Sequence, residues 1–169
     1  MEEKAKELGL VIYQPSFEMD NVLFRWWHKL NTTGDFDLAF TKQERPLSTF
    51  MESFKPPTVL IFALDDKAEV WCAGWFKPFS TAALGGAWIR EDMRKTPKSI
   101  EVAHFCHQIG FKIWATIINV TRHEYLLKLH RNWGYNIVGQ IPGIIDGEDA
   151  WMLYLTEENY KQSKVYKEL

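Results

Sequence analysis

Apolar positions along this chain come in short runs whose period switches between about two and about 3.6 residues, so strands and helices alternate. Residues 8–13 form a brief apolar run that stops at Gln14-Pro15, the pattern of a first strand. Asp20 stands where a helix would be capped, and Val22, Leu23, Trp26, Trp27 and Leu30 recur at helical spacing until Asn31-Thr32-Thr33-Gly34 supplies turn residues. No clear period runs through 34–45. Pro46 opens a second, short helix with Leu47, Phe50, Met51 and Phe54 on one face, and Lys55-Pro56-Pro57 ends it.

β-branched and aromatic residues dominate 58–64 and 69–76, and Asp65-Asp66-Lys67-Ala68 between them makes the pair a hairpin. Lys77-Pro78-Phe79-Ser80 is the next turn and 82–89 the third consecutive strand, so three directly joined antiparallel strands are the simplest topology. Thr96 as N-cap and Pro97 as first helical residue start a helix that reaches about Lys112 and turns Ile100, Ala103, Cys106 and Ile109 inward. A buried strand over 113–119 follows. Thr121-Arg122-His123-Glu124 has the hydroxyl and carboxylate of a capping box, which opens a helix that Gly134 closes. Two last strands, 135–141 and 150–155, flank the turn-rich 142–148, and 156–169 is a polar tail of helical character. The order is β-α-α-β-β-β-α-β-α-β-β, an α+β arrangement.

With 169 residues, no internal repeat and no linker, the chain fits a single domain, 1–169, that needs neither disulfide nor structural metal. A formal charge of −2 with mixed signs argues against a nucleic-acid binder. Eight Trp and eleven Phe are a heavy aromatic load, enough to pack a core and also line a cleft. Trp75, Trp88 and Trp114 are candidates for either place, with the core expected for at least two. Cys72 and Cys106 sit in separate apolar stretches, as buried reduced thiols do. The charged start, MEEKAKELG, has no apolar core segment and no later run approaches the roughly 20 residues that span a bilayer, so a soluble, cytoplasmic protein without a membrane partner is expected. Glu101, His104 and His107 have helical spacing, but a metal would need further ligands from another helix, and no metal site is expected.

The stretch 84–99, LGGAWIREDMRKTPKS, leads a strand through a basic turn into a helix. Arg94, Lys95 and Lys98 crowd positive charge beside a helix start, where a phosphate-bearing ligand finds partners; a solvated basic turn is the plain alternative. This order, and the residues after Gly85, resemble the GNAT superfamily of acetyl-CoA-dependent N-acetyltransferases. Its members carry, after the fourth strand, Arg or Gln followed by x-x-Gly-x-Gly or Ala, whose amides and helix start grip the pyrophosphate of coenzyme A. Here Arg94 stands at the Arg or Gln, while Pro97 and Ser99 replace the two small positions. Glycine lets backbone approach phosphate and leaves every N–H free, whereas Pro97 has none to give; Lys95 and Lys98 offset part of that loss. A second match spans 114–139, where Asn132-Trp133-Gly134-Tyr135 resembles the family's Leu-Gly-Phe-like segment. The Tyr four residues before that Gly, which in many family enzymes protonates the departing thiolate, is His130 here. Tyr125 lies one helical turn earlier, and the family's early-helix Asn falls on His123.

The resemblance implies a three-layer fold: a mixed, mostly antiparallel sheet of about seven strands with helices on both faces. Acetyl-CoA, the cosubstrate, would enter a splay between the strands ending near Ile89 and Asn119. Arg94, Lys95, Lys98 and Ser99 would hold its pyrophosphate, and the backbone of Ile89 and Arg90 its pantetheine arm. An amine, on a small molecule or a protein, would attack directly while His130 or Tyr125 protonates the thiolate; a homodimer is left open. Glu69, Glu91 and Asp92 are the nearest carboxylates for a base. Pro97, Ser99 and the missing Tyr motivate the alternative, a catalytically degenerate GNAT-like scaffold acting as a binding or virion-associated protein, as some small bacteriophage-encoded GNAT-like proteins look to be.

Overall fold

The computed structural model describes residues 2–36 and 45–169; the stretch 37–44, most of the segment without a clear period, lies outside them. The chain opens with α1 (Glu2–Glu7), an element the apolar pattern does not announce. It carries no apolar stripe and is tied instead by Lys4, whose Nζ lies 2.8 Å from the Glu101 carboxylate. After β1 (Leu10–Ile12), helix α2 (Phe17–Thr33) starts four residues earlier than expected. Ser16 is its N-cap, accepting from the Met19 N–H, while Asp20 accepts a 2.6 Å hydrogen bond from the Tyr13 hydroxyl. Gly34, at φ 76°, ends the helix in the left-handed conformation that Asn31-Thr32-Thr33-Gly34 predicted.

Next come α3 (Leu47–Ser53), β2 (Val59–Leu64), β3 (Val70–Phe79) and β4 (Ala82–Ile89). The hairpin is where the sequence placed it, but β3 runs on through Pro78, and the turn falls at Ser80 and Thr81. A 3₁₀ turn (Glu91–Met93) then leads into α4 (Pro97–Ile113), β5 (Thr116–Thr121), α5 (Leu126–Asn132), β6 (Asn136–Ile145), β7 (Glu148–Thr156), α6 (Glu157–Gln162) and α7 (Lys164–Glu168). Seven strands make one mixed sheet in the order β1-β2-β3-β4-β5-β7-β6. β4 and β5 pair in parallel, while β1–β2, β2–β3, β5–β7 and β6–β7 are antiparallel.

Contacts divide the chain into two compact units, Met1–Lys77 with Ala87–Cys106 and Pro78–Gly86 with His107–Leu169. Aromatic packing dominates the first. Trp26, 1% exposed, meets Phe50, Phe54 and Phe62 at ring distances of 5.4–5.7 Å, Trp88 at 6.0 Å and Trp75 at 6.3 Å. Each such ring contributes about 1.5–3 kcal/mol by leaving water. In this unit α4 approaches β3 closely, since a Cβ on Gly74 would stand 3.1 Å from Cys106 Sγ. The inward stripe of α4 is Ser99, Val102 and Cys106, whereas Ile100 is 37% exposed. Of the expected Ile100, Ala103, Cys106 and Ile109 stripe, Cys106 is buried and Ala103 and Ile109 are half-buried, and only Ile100 is corrected.

In the second unit α4 continues to Ile113, so β5 starts at Thr116 and the buried Trp114 lies in the connection rather than on a strand. The expected capping box is not formed. Thr121 ends β5 and its Oγ1 accepts from the His123 N–H, while α5 begins only at Leu126. β6 and β7 reach further toward each other than expected and turn at Asp146 and Gly147, both at positive φ, as a two-residue hairpin turn demands. The polar tail is anchored by Tyr160 of α6, which is 1% exposed and stacks on His107 at 5.2 Å.

Candidate functional site

The parallel register of β4 and β5 pairs Ala82, Ala83 and Leu84 with Thr116, Ile117 and Ile118. Both strands run past it: β4 continues through Gly85 and Gly86, and Asn119, Val120 and Thr121 continue β5 while pairing with β7. Leu84-Gly85-Gly86 therefore leads out of the part of the strand paired with β5, with two residues that carry no side chain.

In the first unit the basic turn is built by its own polar atoms. Thr96 Oγ1 accepts from the Ser99 N–H at 3.2 Å and donates to the Met93 carbonyl at 2.8 Å, so Thr96 is the helix cap that the Thr-Pro pair predicted. The Ser99 hydroxyl, buried, donates to the Thr96 carbonyl at 2.8 Å, and the Ile100 N–H also reaches that carbonyl. Arg94 folds back, its Nε donating to the Ile89 carbonyl at 2.9 Å and its Nη2 lying 3.7 Å from Asp35. Arg90 is held by Asp65 at 2.9 Å and Asp92 at 2.7 Å. Lys95 is exposed in a left-handed backbone, φ 64°, and exposed Lys98 sets its ammonium 5.3 Å from the Trp71 ring centre. Beside this turn a cavity of about 430 Å³ is lined by Lys29, Asp35, Trp88, Arg90 and Glu91 among others. Trp88 is a buried residue whose Nε1 donates to Asp35 at 3.3 Å, so it fills core and edges this cavity. Of the carboxylates weighed as bases, Glu69 pairs with Lys29 at 2.9 Å and Asp92 with Arg90.

The second unit holds His130. Its Nδ1 lies 2.8 Å from the Leu126 carbonyl, one helical turn back, and its Nε2 lies 3.3 Å from the Asn119 amide nitrogen. Burial pushes its pKa below the usual 6.5, and the bond to Leu126 offsets only part of that. Burial pushes the Tyr135 phenol up, an effect the nearby Asn119 amide partly offsets, and the hydroxyl lies 3.1 Å from His107 Nε2. His107 stacks on Trp133 at 5.0 Å, and the His130 and Tyr135 rings meet edge to face at 5.1 Å. Tyr125 stands apart from this group, 67% exposed at the N-cap of α5. Asn119 and Tyr135 were not singled out by sequence. The available signal was a lone amide inside the apolar run Ile117-Ile118-Asn119-Val120, where an unpaired polar group would be costly.

Among the described residues no three His, Cys, Asp or Glu side chains gather as a metal would need, and no helix is long and apolar enough to cross a membrane. No protein-family model matches the sequence, and no curated protein matches it. Solved structures do. The chain is similar to a spermidine N-acetyltransferase from Vibrio cholerae, solved with CoA and spermine, at 12% identity and TM-score 0.68, covering 90% of this chain and 98% of that one. It is similar to a GNAT superfamily phosphinothricin acetyltransferase from Sinorhizobium meliloti, solved with AcCoA, at 10% identity and TM-score 0.67, covering 88% of each. A ribosomal-protein-alanine N-acetyltransferase from Brucella melitensis matches at 12% identity and TM-score 0.66, over 86% of this chain and 99% of that one. The fold is the GNAT fold.

Proposed function

We propose that this chain is an N-acetyltransferase that moves an acetyl group from acetyl-CoA to an amine. The observation that carries the reading is the β4–β5 register, parallel and only three pairs long, on a fold shared with acetyl-CoA-dependent enzymes. Past Leu84, the main chain of Gly85 and Gly86 offers groups that bond an extended, amide-bearing ligand, and the pantetheine arm of coenzyme A is one.

The phosphates of the cofactor are assigned to the turn ahead of α4, with exposed Lys95 and Lys98 as the cations, Arg94 fixing the turn from within and Ser99 closing it. Ile89 and Arg90 belong to the same main-chain stretch. His130 handles the proton. It starts as a neutral imidazole, accepts the proton of the attacking nitrogen at Nε2 and returns it to the thiolate sulfur; the C–N bond forms, the C–S bond breaks and N–H becomes S–H. Positioning and proton transfer supply the rate, without a covalent enzyme intermediate. The acceptor is an amine on a small molecule or a protein, and the two buried free thiols support a cytoplasmic setting.

One observation favours a second reading, a GNAT-like scaffold without turnover: Pro97 has no N–H, and those of Ser99 and Ile100 are already bonded to Thr96. Calorimetry and thermal denaturation with acetyl-CoA decide the matter. Saturable heat is expected, with stabilisation of about 2.7 kcal/mol at a hundredfold excess over Kd. No heat and no shift at millimolar acetyl-CoA would overturn the proposal, and tight binding with no acetylation across a panel of amines selects the scaffold.

A further inference from the structure

We propose that Asn119 is a positioning residue: with the Leu126 carbonyl it holds His130 as the neutral Nδ1–H tautomer, with Nε2 unprotonated and accepting from the Asn119 amide on β5. The catalytic meaning of this inference rests on the acetyl-transfer reading, but its test does not.

With the ring neutral, the hydrogen bonds to His130 admit one set of donors. The Leu126 carbonyl can only accept, so His130 Nδ1, 2.8 Å away, carries the proton. Nε2 is then the lone-pair nitrogen of the neutral ring, and the group 3.3 Å from it must donate, which fixes the Asn119 amide with Nδ2 toward His130. The Tyr135 hydroxyl, beside the imidazole, has its own partner in His107 Nε2 at 3.1 Å. The titratable group in contact with the imidazole is Tyr135, kept in its phenol form by burial and bonded in turn to His107 of α4; Lys128 and Arg131 on α5 are exposed. None of these is a carboxylate, and burial favours the uncharged ring.

An imidazole in this state cannot donate from Nε2 at the outset. It first takes a proton there: the Asn119 N–H gives up the Nε2 lone pair, an N–H bond of the attacking amine breaks and Nε2–H forms. The Asn119 amide now opposes it with N–H against N–H until it turns its oxygen inward or the proton leaves. Passing the proton to sulfur breaks Nε2–H, forms S–H and restores the starting pair. Asn119 thus makes the protonated ring short-lived, and one residue covers both the base that the sequence failed to supply and the acid it assigned to His130.

The test is ¹⁵N NMR of the imidazole nitrogens in the free protein, without acetyl-CoA, in the parent, Asn119→Asp and Asn119→Ala. The parent should show His130 protonated at Nδ1 with a titration midpoint below 6.5. In Asn119→Asp a carboxylate replaces the donor at Nε2, so the midpoint should rise by about one pH unit or more. In Asn119→Ala it should rise toward the ordinary value, which keeps the test alive if the Asp variant fails to fold. A parent ring protonated at Nε2, or midpoints unmoved in the variants, overturns the proposal. In turnover assays the acid limb of kcat/KM should follow the midpoint, with KM for acetyl-CoA unchanged within about twofold; a pure structural loss would not move that limb. Failure to bind acetyl-CoA would sink the acetyl-transfer reading and leave the Asn119–His130 pairing standing.

Discussion

Gly134 lies against the backbone of Asn159: a Cβ there would come within 2.5 Å of the Asn159 carbonyl oxygen and 3.0 Å of its carbon. Its φ of 88° adds the left-handed strain that any side chain would meet. Gly134→Ala should therefore lose about 2–4 kcal/mol in urea denaturation, strain and overpacking together. Gly34 is the matched control, at φ 76° with no atom within 4 Å among the described residues. Gly34→Ala should lose only about 1 kcal/mol. Equal losses would show that the contact with Asn159 carries nothing.

Lys95 couples stability and binding in opposite directions. Its φ of 64° is strained for lysine and free for glycine. Lys95→Gly should stabilise the protein by about 0.5–1 kcal/mol, while weakening acetyl-CoA binding about three- to tenfold through the lost charge. Lys98→Ala should weaken binding similarly. Unchanged affinity in both variants would move the phosphate site off this turn.

Acid should loosen the hairpin end of the first unit. Burial pushes the Asp65 carboxyl up, but Arg90 and the Glu69 and Lys67 N–H groups outweigh it and hold it below its ordinary 3.8. A carboxylate depressed in the folded state adds stability that is present above the unfolded value and is lost as pH falls through the folded one. Stability should drop below about pH 4, and Arg90→Ala should cost about 1–2 kcal/mol at pH 7 while flattening that drop. A parent and variant with parallel pH profiles would contradict the assignment.

Both thiols should be silent toward alkylation. Burial pushes the Cys106 thiol up to about 12 and Cys72 well above its ordinary value, so neither offers thiolate. Iodoacetamide at pH 8 should label neither in the native protein and both in guanidinium. Native labelling of Cys106 would mean that α4 opens from β3 readily.

Local chemistry was legible wherever a few neighbouring residues decide the outcome. Thr96-Pro97 starts α4, Gly34 ends α2, and the Asp65 turn joins β2 to β3. Long-range partners decided the rest. Asp20 is a plausible cap until Tyr13 claims its carboxylate, leaving the role to Ser16. Ile100 fits an inward stripe by spacing alone, yet Gly74 admits Cys106 and so sets the rotation of α4. The same limit applies at the site. A histidine four residues before Gly134 is visible in sequence, but its protonation is set by the Leu126 carbonyl and by Asn119 on another element.

Trp26, with Trp88 at 6.0 Å and Trp75 at 6.3 Å, forms a cluster of indoles close enough for their electronic transitions to mix. All three belong to the first unit, whereas Trp114, Trp133 and Trp151 belong to the second. The coupled circular dichroism signal of this cluster in the indole bands is therefore a property of the first unit. A melt followed by that signal reports when that unit loses its packing, and the state of His130 has to be followed by a probe placed at the imidazole itself.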